Sequence, residues 1–366
     1  MSNRPHDPLP IAQVPVGELL GRELEARGWS QADFAAVLDR PTQFVSEIVT
    51  GKKEITRESA AQIGAALDST AEFWLNLQDQ YLLAEQFKNE NAKVKLDEVR
   101  RRARLNDKGP ILLLKKRGLL TSTTLDSLET EVKELFELNS LDDEPGFAAA
   151  ARRANSCEDI SLLQRAWVAC IRREARKLPP KESYSANRLR ELARTLSSTL
   201  KSAVDFQDLP DRFSTVGVRL IYVESFPGAK MDGCAMLVDG YPVIGLSGRG
   251  KRLDKVLFTL LHEIAHILLE HVDAENLIVE GLDDTRDNET ERETNADSEA
   301  TRLAFPHGVP DLPARISAPW VNQTAAELGV ARIVFIGHLQ HRRRLDWRTT
   351  LAKNAPSVSD ALETWK

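Results

Sequence analysis

The sequence predicts a mainly α, α+β protein in which a helical bundle comes first, a helical stretch follows, and a small β-sheet enters only in the last third. Three observations carry that expectation. Across residues 16–88 apolar side chains recur at helical spacing, with joints at Gly28, Pro41 and Gly51. Across residues 89–208 the helical pattern runs longer and more charged, broken at Gly109-Pro110, Pro145-Gly146 and Pro179-Pro180. From Val216 the apolar period shifts to two. The expected division is therefore a bundle over 1–88, a helical connector over 89–208, a sheet-bearing domain over 209–320 and a C-terminal helical extension over 321–366.

Each element has a local reason. Within VGVRLIYVE (216–224) the residues alternate or run apolar, as a half-buried strand does, and in CAMLVDGYPVIGLS (234–247) Asp239-Gly240 separates two strand-like runs, the sequence of a tight hairpin. Pro242 has no N–H to give a ladder, which predicts an edge position for its strand. The following RLDKVLFTLLHEIAHILLEHV (252–272) is apolar on nearly every side, so a helix buried within the domain is expected.

With 366 residues, 42% hydrophobic and 28% charged, the chain can bury a sizeable core. Its 49 basic against 55 acidic side chains leave a net charge of -6, so no global basic field holds nucleic acid. The acid excess sits early: residues 1–90 hold 8 basic and 14 acidic side chains. Cys157, Cys170 and Cys234 are too few and too scattered for a disulfide framework, which suits a reducing compartment. The opening MSNRPHDPLP lacks the apolar run of a signal peptide, and the longest apolar stretch is interrupted by His262, Glu263 and His266. A cytoplasmic protein without a membrane span is expected.

Those three residues carry the most specific signal in the chain. His262-Glu263-Ile264-Ala265-His266 is a His-Glu-x-x-His pattern, which on a helix sets two imidazoles one turn apart on one face, within reach of a single metal ion, with the glutamate beside the ion. Two histidines and a carboxylate in apolar surroundings need partners, which weighs against two unremarkable core histidines. A third ligand is expected from DDTRDNETERETNADSEA (283–300), where Glu293 would bind metal and Asp297, four residues on, would accept a ligand-histidine N–H. Glu289 is the alternative ligand, and most of the stretch reads as a solvated acidic face.

FTLLHEIAHILLEH followed by ETNADSEATRLAFP resembles the ImmA/IrrE family of zinc metallopeptidases, whose second motif reads roughly Glu-x-x-Ala-Asn/Asp-x-x-Ala-x-x-Leu-x-x-Pro. Glu293, Ala296, Asp297, Ala300, Leu303 and Pro306 match it, whereas Glu299 stands where members more often carry an aromatic residue. The resemblance spans about residues 210–310 and implies a zincin-like domain holding Zn2+ and hydrolysing a peptide bond. Zinc lowers the pKa of its water to about 7, and Glu263 would take the water proton and pass it to the leaving amine. A substrate strand could add to a sheet edge at 241–247. Oxyanion-stabilising candidates are His271, Tyr222, Tyr241 and His338, each also readable as packing.

In the first bundle, helical patterns over 31–38 and 42–49 flank the joint Asp39-Arg40-Pro41, a helix-turn-helix spacing. Phe34, Ala35, Leu38, Val45 and Ile48 would pack the two helices, leaving Thr42, Gln43, Ser46 and Glu47 outward for base edges or phosphates, with Gln31, Lys52 and Lys53 on phosphates. Trp29-Ser30-Gln31, the run from Val45 to Ile48, Gly51-Lys52, and the run from Phe73 to Gln78 resemble HigA-like antitoxins of the Cro/repressor class, over about residues 14–87. That resemblance implies operator DNA as partner. Few local cations favour a homodimer on two half-sites, and a bundle used only for dimerisation or docking is the competing reading. Arg100-Arg101-Arg102 with Arg104, and Arg342-Arg343-Arg344, read as solvated faces.

Together these readings describe a bacterial regulator with a DNA-binding head and a zinc endopeptidase domain, cleaving a repressor or antitoxin. The alternative is an antitoxin or autorepressor, partnered by a cognate toxin, whose metal site is not catalytic.

Overall fold

The computed structural model describes residues 14–148, 160–272, 278–281 and 291–365. Cys157 and Glu289 lie outside the described residues. The protein is mainly helical with one small sheet, and it divides into two compact units, 1–101 and 102–366. That boundary falls within a helix, Glu90–Lys108, and not at the expected joint at 88.

The first unit is a bundle of α1 (Val16–Ala26), α2 (Gln31–Val37), α3 (Thr42–Val49), α4 (Arg57–Leu67) and α5 (Ala71–Lys88), with α6 (Glu90–Lys108) leading out of it. Leu20, Leu24, Phe34, Val45, Ile48, Ile63 and Trp74 form its core. Ser30 and Asp33 cap the start of α2 reciprocally, Thr56 and Ser59 do so for α4, and Gly28 takes the left-handed conformation the chain needs between α1 and α2. Buried Gln78 holds the segment before α4, accepting from the Ile55 N–H at 2.5 Å and donating to the Ile55 carbonyl at 3.0 Å.

The second unit is built on a four-stranded sheet, β1 (Arg219–Tyr222), β2 (Met231–Val238), β3 (Tyr241–Leu246) and β4 (Ile278–Gly281), in the order β1-β3-β2-β4. β1 runs parallel to β3, and β2 runs antiparallel to both β3 and β4. Asp239 and Gly240 turn the β2–β3 hairpin with φ of 51° and 80°, the pair of positive values that matches the twist of the strands. The edge position expected for the strand bearing Pro242 is wrong, because β3 lies between β1 and β2. Val238 and Tyr241 close the hairpin as a hydrogen-bonded pair, so Pro242 and Leu237 form the next, non-bonded pair and the proline nitrogen faces β1. Pairing with β1 begins one residue later, at Val243 opposite Arg219, and no ladder bond is lost.

The sheet separates two apolar layers. On one face Leu220, Tyr222, Ala235, Ile244 and Leu246 pack with helix Leu253–Leu268 and its neighbours. On the other, Ile221, Val223, Cys234, Met236 and Val243 pack with helix Leu162–Lys177. Residues expected in a connector therefore belong to this unit, since the second layer begins at Leu105 and includes Leu114, Phe136 and Trp167. The expected C-terminal extension is not peripheral either: helix Arg332–His341 contributes Ile333, Val334, Phe335, Ile336 and Leu339 to the first layer. Among the described residues no helix is long and apolar enough to cross a membrane.

His338 is buried in that layer between Phe305, at 4.8 Å between ring centroids, and Phe258, at 6.4 Å. Burial, with Arg342 and His341 nearby, pushes its pKa down to about 4. Between pH 6.5 and 4 the unfolded chain binds a proton at this position that the folded chain refuses, so acid removes stability across that window, by roughly 3 kcal/mol. His338→Phe should reduce the loss of urea midpoint between pH 7 and pH 4.5 relative to the unaltered protein. Equal losses in both would show that this imidazole is protonated in the fold.

Candidate functional site

Helix Leu253–Leu268 (α12 when the described α-helices are numbered in chain order) carries the His-Glu-x-x-His residues in its last two turns. It is buried from Leu260 through Leu268, against the sheet on one side and helix Glu291–Ala304 (α13) on another. The histidine rings stand with centroids 4.6 Å apart. Their Nε2 atoms are 2.9 Å apart, and Oε2 of Glu293 from α13 lies 3.1 Å from the first and 3.6 Å from the second. Among the described residues these three form the one group of ligating atoms close enough to share an ion.

The donor set fits zinc. Bonds of about 2.0–2.1 Å in tetrahedral geometry separate ligand atoms by about 3.3 Å, close to the three edges seen here. The second layer fits as well. Asp297 Oδ1 lies 2.9 Å from Nδ1 of His262, so a proton there leaves the Nε2 lone pair directed at the common centre. His266 makes the matching contact to His271, Nδ1 to Nδ1 at 3.0 Å, and with the proton on His266 its Nε2 lone pair is likewise directed at the centre.

The electrostatics agree with that arrangement. Burial lowers the His266 pKa, more than Glu293 raises it, and favours the neutral imidazole that binds metal. Burial pushes Glu293 upward, but hydrogen bonds with His262 and His266 outweigh it and hold the carboxyl well below its usual range. Asp297 is held low in the same way by His262 and His341. Both carboxylates are therefore anionic at neutral pH.

Glu263 is fully buried, one residue from His262, yet turned toward β2. Gly233 makes room for it: a methyl group there would stand 2.6 Å from Glu263 Oε1 and 2.7 Å from Thr259 Cγ2. Of the oxyanion candidates, His271 adjoins the centre through His266. Tyr222 bonds Glu363 at 3.3 Å, Tyr241 stacks under Arg219, and His338 is enclosed by phenylalanines. Glu299 lies on α13 beside Arg302 at 3.4 Å and Arg190 at 3.9 Å, both within ion-pair reach. His341 is the residue that sequence reasoning missed, because it lies 44 positions beyond the aspartate it touches.

In the head, Phe34, Ala35, Leu38, Val45 and Ile48 are buried between α2 and α3. Thr42 and Gln43 are exposed on the first turn of α3, Ser46 and Glu47 are half-buried, and Gln31, Lys52 and Lys53 are exposed. The Gln43 amide donates to Glu47 at 2.8 Å. Two cations flank Phe44, Lys53 at 4.8 Å and Arg40 at 5.5 Å from its centroid, and Arg40 also pairs with Glu58 and donates to Gln62.

No protein-family model matches the chain. An uncharacterised HTH-type transcriptional regulator of Haemophilus influenzae is 42% identical over 64 residues, 17% of this chain and 60% of that protein. The HTH-type transcriptional regulator YddM of Escherichia coli is 31% identical over 69 residues, 19% of this chain and 73% of its own length. The head belongs to the HTH-type transcriptional regulators. The chain spans 60% of the length of the Haemophilus relative. Its head is also similar to an addiction module antidote protein of the HigA family from Coxiella burnetii, at 34% identity over 22% of this chain and 90% of that one, with a TM-score of 0.21. The Pseudomonas aeruginosa antitoxin HigA, solved with the higBA promoter, is 30% identical over 22% of this chain and 89% of its own, also with a TM-score of 0.21.

Because Gly233 accommodates Glu263 by lacking a side chain, Gly233→Ala should lower the protein's stability by roughly 1–3 kcal/mol, the usual cost of overpacking. Urea unfolding reads the effect directly. An unchanged midpoint would mean that β2 and α12 are not in this contact.

Proposed function

We propose that this transcriptional regulator is a zinc-dependent endopeptidase acting on a partner regulatory protein, with a helix-turn-helix head that binds operator DNA. The observation that carries the enzymatic part is the convergence of His262 Nε2, His266 Nε2 and Glu293 Oε2, with Glu263 buried beside them but outside the group.

His262, His266 and Glu293 would hold the ion. When bound, zinc supplies Lewis acidity, lowering the pKa of water to about 7 and polarising the scissile carbonyl. Glu263 takes a proton from the attacking water and returns it to the leaving amine nitrogen, and the glycine at 233 leaves room for that carboxylate against β2. Asp297 and His271 keep both ligand imidazoles in the tautomer whose Nε2 lone pair is available. A structural ion would need no base at position 263, and that argues for hydrolysis over an antitoxin or autorepressor with an inert site.

Purified protein should contain about one zinc per chain by elemental analysis, lost in His262→Ala and His266→Ala. Glu263→Gln should keep the zinc and lose cleavage by a factor of about 10²–10⁴, read as the disappearance of new protein N-termini in a lysate of the native host. Zinc-free protein overturns the metal reading, and cleavage undiminished in Glu263→Gln leaves the autorepressor reading in place.

The head's contribution is proposed on the outward placement of Thr42, Gln43 and Ser46, with Gln31, Lys52 and Lys53 toward phosphates. Gln43→Ala with Ser46→Ala should weaken binding to the protein's own promoter relative to unrelated duplex. Lys52→Ala with Lys53→Ala should weaken both alike and reduce the slope of log affinity against log salt by about 2. Equal binding of promoter and unrelated DNA by the unaltered protein would leave the head as a dimerisation or docking module.

A further inference from the structure

The carboxylate of Asp297 is engaged at both oxygens. Oδ1 meets Nδ1 of His262 at 2.9 Å, and Oδ2 meets Nε2 of His341 at 3.2 Å. His341 is the last residue of helix Arg332–His341 (α15), so it reaches the centre from a third helix, distinct from those carrying the ligands. Its ring lies parallel to Phe258, with 6° between planes and 6.5 Å between centroids, and Phe258 stands one turn before His262 on α12. The imidazole is thus held from one side by an aromatic ring of the ligand helix while its nitrogen points at Asp297.

An aspartate carboxylate rotates broadly about its last torsion, and Asp297 is about one-third exposed, so water competes for it. One hydrogen bond to His262 leaves that rotation available, whereas a second, from an imidazole 39% exposed but lying against Phe258, restrains it. We propose that His341 is a positioning residue for the metal centre: its Nε2–H pins Oδ2 of Asp297, so that Oδ1 stays aimed at the Nδ1–H of His262 and the His262 Nε2 lone pair stays aimed at the ion. This rests on the reading of His262, His266 and Glu293 as a metal site. The ligand needed is the divalent ion alone, and no step of hydrolysis passes through His341.

The test is zinc affinity by chelator competition on the full chain, with unfolding midpoints to confirm that each variant is folded. His341→Ala should weaken zinc by roughly tenfold, the lower end of what partners of ligating histidines contribute. His341→Gln, whose amide nitrogen reaches the place of Nε2, should recover most of that loss, while the shorter His341→Asn should not. In an Asp297→Asn background His341→Ala should add little, because its effect runs through the carboxylate. Unchanged affinity in His341→Ala overturns the proposal, as does a full multiplicative penalty in the double variant. A second readout keeps the two readings apart: in metal-free protein with ¹⁵N-labelled histidine, the Nδ1 proton of His262, held by Asp297, should be protected from exchange with water and should exchange faster in His341→Ala. If the unaltered chain binds no zinc, the metal reading fails, and unchanged exchange of that proton in His341→Ala still overturns the role of His341.

Discussion

Three polar side chains on one buried helix set the terms for the second unit. His262, Glu263 and His266 sit in α12 among leucines, isoleucines and the sheet, where an unsatisfied imidazole or carboxylate would cost several kcal/mol. Neighbouring elements supply partners to the two histidines and space to the glutamate. α13 brings Glu293 and Asp297 to the histidine side, β2 passes Glu263 with a glycine, and the chain just beyond α12 returns His271 to His266. The apolar layers around α12 hold those partners in register, so core packing and site geometry are one arrangement.

The C-terminal segment is stitched to the same helix. Asp254, 1% exposed, accepts from Arg252 at 3.0 and 2.6 Å, and Arg252 also donates to the Gln340 side chain at 2.8 Å. Gly337 lets α15 approach Asp254 where any Cβ would collide with the carboxylate. Gly337, Gln340 and His341 share one face of α15 at spacings of three and four residues, so the contacts that fix the first two also aim the third. Breaking a buried pair such as Arg252–Asp254 leaves an uncompensated charge, at a typical cost of about 3–5 kcal/mol. The same arginine holds Gln340, the residue before His341, to the start of α12.

What could be read from the sequence follows from how local each constraint is. The i, i+4 spacing of His262 and His266, the Glu293/Asp297 spacing, the Asp239-Gly240 turn and the apolar pattern of α2 and α3 are all set within a few residues. Pro242 misled because a missing N–H excludes a residue from one side of a strand only, and which side faces a partner depends on hairpin phase. The division between the two units is hard to read because α6 is polar on nearly all sides, so its pattern carries no record of which core each end joins. His341 stayed hidden because contact between α15 and α13 is a product of tertiary packing, and a histidine ending an apolar helix bears no mark of its partner.

The head presents a different balance. Around its second helix, Arg40 is already committed to Glu58 and Gln62, and it shares Phe44 with Lys53. Glu47 stands on the outward face itself and engages the Gln43 amide. Among the described residues of the head, exposed Lys52, Lys53 and Arg57 stand outside these ion pairs, so on the operator-binding proposal a single head would neutralise few phosphates and hold DNA weakly at physiological salt. Glu47 restricts Gln43 further, since one amide hydrogen is already used, leaving the other hydrogen and the carbonyl for a base edge. That pairing limits rotation of the glutamine, so on the operator-binding proposal discrimination by this head would rest more on orientation than on charge.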